Sequence, residues 1–101
     1  MSWDYTLHEL AQKDYENAVE WYATKSIKLA NDLIGEIEHS LKLISENPNR
    51  WRQEHENFRE LKINKFPYQI VYLVDEYEKH VLIVAVFHTS NDPKRKYRKR
   101  L

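Results

Sequence analysis

The sequence predicts an α+β domain in which two helices pack on one face of a mostly antiparallel sheet. Three observations lead to this class. Two adjacent stretches carry apolar residues at helical spacing, three later stretches carry strand patterning, and one short alternating stretch precedes the helices. The chain has 101 residues, 42% of them hydrophobic, which fits one domain over residues 1–101.

The first half of the chain predicts one strand and a helical hairpin. Residues 3–8, WDYTLH, alternate as a strand does. The stretch 9–26 spaces four apolar-face residues as a helix does: Ala11, Tyr15, Ala18 and Tyr22. The stretch 27–44 repeats that spacing: Ile27, Ala30, Leu33, Ile34, Ile37, Leu41 and Ile44. Pro48 then ends the second helix.

The second half predicts three strands after a polar loop at 49–57. Residues 58–64 alternate, while 68–74 and 80–88 are apolar on both faces, as central strands are. The predicted order is therefore β-α-α-β-β-β. The run Asn91-Asp92-Pro93 resembles a helix start with proline at the first position, so the basic C-terminal tail is expected to begin as a short helix.

Composition excludes several classes of function. The chain has no cysteine, which favours a reducing compartment, and its single glycine excludes glycine-rich phosphate loops. No two of its five histidines show ligand spacing, so we expect neither a metal site nor a bound cofactor. No stretch approaches the length of a membrane span, and the N-terminus does not resemble a signal peptide. We therefore expect a soluble cytoplasmic protein without membrane contact.

The charge is balanced overall but unevenly placed. Residues 1–50 hold five Lys/Arg against nine Asp/Glu, whereas residues 51–101 hold eleven against seven. Such a patch can bind a polyanion, and tyrosines near it can stack on bases. The alternatives are a solvated tail or a surface for an acidic protein partner. The candidate binding residues are Lys62, Lys65, Lys94, Arg95, Lys96 and Arg98.

Two further features admit two interpretations each. His88 ends the most apolar strand, where an imidazole can act as an acid or base or can simply bond the turn that follows. The aromatic residues Trp21, Tyr22 and Trp51 fit the core of the helical hairpin, and the alternative is a groove for a partner.

Four segments together resemble one family over nearly the whole chain: EWYATKS, LISENP, FRELKINKFPYQIVYLV and VLIVAVFHTSNDP. They are similar to the RelE/ParE superfamily of type II toxin–antitoxin toxins. The resemblance implies a RelE/ParE-like fold and a small toxin held inactive by a cognate antitoxin protein. RelE-like members cleave mRNA in the ribosome, and ParE-like members block DNA gyrase without a nuclease site.

The resemblance also implies candidate site residues. If the chain is a nuclease, the resemblance implies that His88, Arg59 and Tyr97 are catalytic. His88 and Tyr97 would then correspond to the catalytic histidine or tyrosine of nuclease members. One departure is Gln69, which stands where nuclease members often carry an arginine, and glutamine brings no charge to stabilise a phosphorane. This departure and the HTSNDP ending favour the ParE branch and a gyrase poison.

The alternatives are a ribosome-dependent mRNA endoribonuclease and a non-toxic antitoxin-binding module. Whether the chain is an enzyme depends on which of these holds. Exposed strand edges also leave a homodimer open.

Overall fold

The computed structural model describes residues 2–97 and confirms the predicted fold class. Its helices and strands are, in order, β1 (Asp4–Leu7), α1 (Glu9–Ala23), α2 (Ile27–Glu46), β2 (Gln53–His55), β3 (Phe58–Lys62), β4 (Tyr68–Asp75) and β5 (His80–His88). Short 3-10 turns occupy Pro48–Arg50 and Pro93–Arg95. No helix within the described residues is long and apolar enough to cross a membrane.

The strands form one five-stranded sheet in the order β1-β5-β4-β3-β2. β1 runs parallel to β5, and every other neighbouring pair is antiparallel. The two apolar strands, β4 and β5, lie next to each other, and β5 is central because β1 pairs with its other edge. The 4-residue β1 pairs only with the first part of β5, from His80 to Ile83.

The inner face of the sheet, which we define as the face that carries α1 and α2, holds the larger core. Each helix begins with a side-chain cap, since His8 Nδ1 accepts the N–H of Leu10 and Ser26 Oγ accepts the N–H of Leu29. The buried residues of this core are Ala11, Ala18, Leu33, Ile37, Leu41, Ile44, Ile63, Phe66, Tyr68, Ile70, Tyr72, Val81, Ile83 and Val86.

The opposite face, here called the outer face, carries no long helix among residues 2–97 and holds a second cluster. Its buried members are Phe58, Val71, Val84, Ala85 and Phe87. The register shifts by one residue between β4 and β5, as in a β-bulge. Tyr97 packs against this cluster. The C-terminal segment therefore covers the outer face, as α1 and α2 cover the inner face.

Three expectations from the sequence need correction. Residues 53–55 form β2, whereas the sequence predicts a loop over 49–57. All three residues are exposed, so the stretch shows no apolar alternation that would indicate a strand. The sequence predicts Ile27 on the apolar face of the second helix. Ile27 is instead 67% exposed, because it is the first residue of α2 and precedes the buried residues of that helix. Trp21 is 56% exposed, whereas Tyr22 and Trp51 pack against the inner core as expected.

Candidate functional site

A cleft of about 530 Å³ opens beside the C-terminal end of β5, and His88 lies in its wall. The cleft lies between α1 and the sheet, where β1 no longer covers the edge of β5. The His88 ring meets Tyr68 edge-on, with the centroids 4.9 Å apart. The lining residues are Asp14, Asn17, Ala18, Trp21, Tyr22, Tyr68, Val86, His88, Ser90 and Asn91.

The hydrogen bonds of His88 define its tautomer. Its Nδ1 atom accepts the backbone N–H of Ser90 at 3.1 Å and lies 2.7 Å from Ser90 Oγ. A nitrogen that accepts an N–H must carry a lone pair, so this hydrogen-bond network assigns the proton of the neutral ring to Nε2. The ring therefore bonds the turn after β5, as one of its two interpretations predicted, and Nε2 offers a donor rather than a base.

The charge of the cleft is also informative. Asp14 is its one charged lining residue, and none of the lining residues among the described part of the chain is Lys or Arg. Asp14 Oδ2 accepts the backbone N–H of Val86 at 3.1 Å, which ties α1 to the edge of β5 that β1 leaves open. Asp14 therefore links the helical hairpin to the wall of the cleft that also carries His88.

Arg59 lies at the other end of the sheet and has a local structural partner. Its guanidinium donates to the backbone carbonyl of Trp51, and its Nε is buried with no hydrogen-bond partner among the described residues. Nearby, the Tyr72 hydroxyl donates to the carbonyl of Pro48 at 2.7 Å. Burial raises the pKa of Tyr72 to about 12, partly offset by Arg59. Both side chains hold the segment after α2 against the sheet.

Tyr97 lies on the outer face, and Glu60 of β3 holds it there. Its hydroxyl donates to Glu60 Oε2, and Lys96 Nζ lies 3.1 Å from Glu60 Oε1. The Tyr97 ring stacks on His55 with centroids 4.4 Å apart and contacts Phe58 at 5.4 Å. Sequence reasoning did not single out Glu60 or His55, because only the packing of the C-terminal segment on the sheet brings Tyr97 beside them.

The structure does not bring the three candidate catalytic residues together. Arg59 pairs with Tyr72, and His88 pairs with Tyr68, on opposite sides of β4. Four residues along β4 and two strand spacings separate the Cα atoms of Arg59 and His88 by roughly 16 Å. His88 lines the inner-face cleft, whereas Tyr97 packs on the outer face.

Two of the predicted binding residues, Lys62 and Lys96, lie on the outer face. Lys62, Lys65, Lys94 and Arg95 are exposed, and Lys96 is half-buried against Glu60. Arg98 lies outside the described residues. Gln69 pairs with Lys62 on β3, and its Oε1 is buried without a hydrogen-bond partner in the described part of the chain.

Comparisons with known proteins identify a family and a fold. The family described as ParE toxin of type II toxin-antitoxin system, parDE, matches residues 5–93. The chromosomal ParDE toxin–antitoxin system from P. aeruginosa superposes with a TM-score of 0.73 at 16% identity, over 88% of this chain and 98% of that chain. A search of curated proteins finds no match.

A second solved structure has the same fold. It is the toxin-antitoxin complex RelBE2 from Mycobacterium tuberculosis, with a TM-score of 0.61 and 18% identity over 90% of this chain and 95% of that chain. At such identities the two structures show the fold, and the match over residues 5–93 shows the family. The chain belongs to the ParE toxin family of type II toxin–antitoxin systems.

Proposed function

We propose that this chain arrests growth by contact with a protein target, as a ParE-like poison of DNA gyrase, and not by cutting RNA. The observation that carries the proposal is the environment of His88. Its Nδ1 is occupied by Ser90, and the cleft around it holds Asp14 and, among the described residues, no cation. A histidine held in this way is a poor general base for a ribose hydroxyl.

Phosphoryl transfer makes a second demand, for positive charge, that the described lining of the cleft does not meet. Negative charge develops on the phosphorane oxygens, which a cation stabilises, whereas the described lining offers only neutral hydrogen-bond donors. Arg59 is roughly 16 Å from His88 along the sheet and donates to Trp51 instead. This separation supports action through a protein surface, for which no such constellation is needed.

We also propose that a cognate antitoxin neutralises the chain by covering the helical hairpin. A groove of about 310 Å³ lies between α1 and α2. Tyr15, Val19 and Ile34 line it with apolar surface, and Glu16 and Glu20 contribute carboxylates. An amphipathic antitoxin segment with basic side chains complements this groove. Both similar structures belong to toxin–antitoxin systems.

The proposal is tested with purified gyrase and relaxed plasmid DNA. We expect the wild-type chain and His88→Ala to inhibit supercoiling to the same extent, because His88 bonds its own turn. Addition of the antitoxin should restore supercoiling. Supercoiling that continues unchanged at a large excess of the chain would contradict the gyrase target.

One observation favours RNA cleavage as the second candidate. The outer face brings Lys62, Lys96 and Tyr97 to one side of the sheet, near Gln69. If that surface cuts RNA, Tyr97→Phe should lose mRNA cleavage while His88→Ala retains it. If the chain is instead a non-toxic antitoxin-binding module, its expression without antitoxin should leave growth unchanged.

A further inference from the structure

The outer face is covered by a short segment of the chain itself, residues 93–97. This segment begins with an Asp92 cap, whose Oδ1 accepts the N–H of Lys94 at 3.0 Å, and makes a single 3-10 turn. Its polar attachment to the sheet is formed by Glu60, whose Oε1 accepts a hydrogen bond from Lys96 Nζ and whose Oε2 accepts one from the Tyr97 hydroxyl.

The attachment is partly shielded from water. The side chains of Lys96 and Glu60 are 14% and 10% exposed. Removal of one member of such a pair leaves the other charge desolvated without its partner, which is costly. The carboxylate of Glu60 is thus matched to a cation and a tyrosine hydroxyl at once.

Apolar contacts complete the attachment. The Tyr97 ring stacks on His55 and contacts Phe58 at a tilt, and Lys96 Nζ lies 5.3 Å from the centroid of the Phe87 ring. Phe58 and Phe87 are 9% and 6% exposed with the segment in place. Release of the segment would uncover a contiguous apolar patch with one carboxylate at its edge.

We propose that residues 93–97 are a latch on a protein-docking surface of the outer face. The latch covers the surface in the free chain, and a partner segment opens it by bringing its own aromatic ring and neighbouring cation to Glu60. The chemistry of the partner follows from the segment that the surface already holds, a lysine followed by a tyrosine. This surface is distinct from the His88 cleft and from the groove between α1 and α2.

The first test measures opening by limited trypsin digestion of the full chain. Exposed Lys94 and Arg95 are replaced by glutamine in all proteins of this test, so that trypsin does not cut ahead of Lys96. Trypsin must take the Lys96 ammonium into its specificity pocket, so the bond after Lys96 is then cleaved only from the open state. We expect Glu60→Gln to speed that cleavage by about tenfold or more, because the lysine and the tyrosine both lose a charged acceptor. Glu76→Gln, at the exposed turn between β4 and β5, is the matched control.

A milder variant separates opening from general unfolding. Tyr97→Phe keeps the ring and removes only the hydroxyl that donates to Glu60. We expect faster cleavage after Lys96 with an unchanged midpoint of thermal unfolding, and less than additive effects when it is combined with Glu60→Gln. Wild-type cleavage rates in both single variants would overturn the latch.

The second test measures docking in trans. A labelled, amidated peptide with the sequence of residues 93–97, PKRKY, is titrated by fluorescence anisotropy. We expect at least about tenfold tighter binding to Tyr97→Ala, whose surface is open, than to the wild-type chain. Addition of Glu60→Gln to that variant should abolish the gain. Equal binding to all three proteins, or no binding to Tyr97→Ala, would contradict the docking surface.

Discussion

Substitution of Tyr72 by phenylalanine tests how the inner core is held to the segment after α2. Tyr72 is 0% exposed, and its hydroxyl donates to the carbonyl of Pro48, another buried residue, at 2.7 Å. The substitution leaves that carbonyl without this donor, so we expect the free energy of unfolding to fall by about 1–3 kcal/mol. For a chain of this size the unfolding midpoint should fall by roughly 4–8 °C per kcal/mol.

The same hydroxyl predicts a pH dependence. Burial raises the pKa of Tyr72 to about 12, whereas a tyrosine in the unfolded chain ionises near its ordinary value of 10.0. The contribution of the protonated hydroxyl is therefore fully present below pH 10 and is lost as the pH rises through 12. The wild-type chain should lose up to about 3 kcal/mol over this interval through Tyr72, and the variant should not.

Urea unfolding at pH 8 and at pH 11.5 measures both effects. We expect the variant to be less stable at pH 8 and the difference to shrink at pH 11.5. Tyr77→Phe is the control, because Tyr77 is 93% exposed and its loss should change stability by at most about 0.5 kcal/mol. A Tyr72→Phe variant as stable as the wild type at pH 8, or a difference independent of pH, would refute the reasoning.

Three other substitutions have expected outcomes. Asp14→Ala should speed hydrogen exchange at the Val86 amide by about tenfold or more, as seen by NMR, because the amide loses its carboxylate acceptor. Arg59→Leu should lower the free energy of unfolding in urea by about 1.5–3 kcal/mol, because the Trp51 carbonyl loses a charged donor. His88→Ala should retain growth arrest on induction, whereas loss of a general base would cost about 10²–10⁴ in rate.

Most of the fold could be predicted because its helices and strands are long and periodic. The spacing of Ala11 and Ala18 in α1 correctly identified a buried face, and the apolar runs of β4 and β5 correctly identified the central strands. The sequence does not predict β2, because its three exposed polar residues show no alternation of apolar and polar side chains. The pairing of β2 with β3 depends on where β3 lies in the sheet, and the residues of β2 alone do not determine that position.

Less of the candidate site could be predicted. The sequence predicts His88 at the end of a strand. It does not predict the hydrogen bond to His88 Nδ1, because that bond depends on the turn that brings the Ser90 N–H back to the ring. The carboxylate in the cleft comes from Asp14 on α1, 74 positions earlier, so it could be found only once the helix was docked on the sheet. Glu60 and Tyr97 meet for the same reason, through tertiary contact rather than sequence proximity.

The most direct test of the central claim uses ribosomes programmed with an end-labelled mRNA and mixed with the purified chain. We expect the mRNA to stay intact at chain concentrations that inhibit gyrase, because no described cation lines the cleft of His88. A discrete cut in the ribosomal A site would contradict it. A cut lost in His88→Ala would place a nuclease site in that cleft, and one lost in Tyr97→Phe would place the site on the outer face.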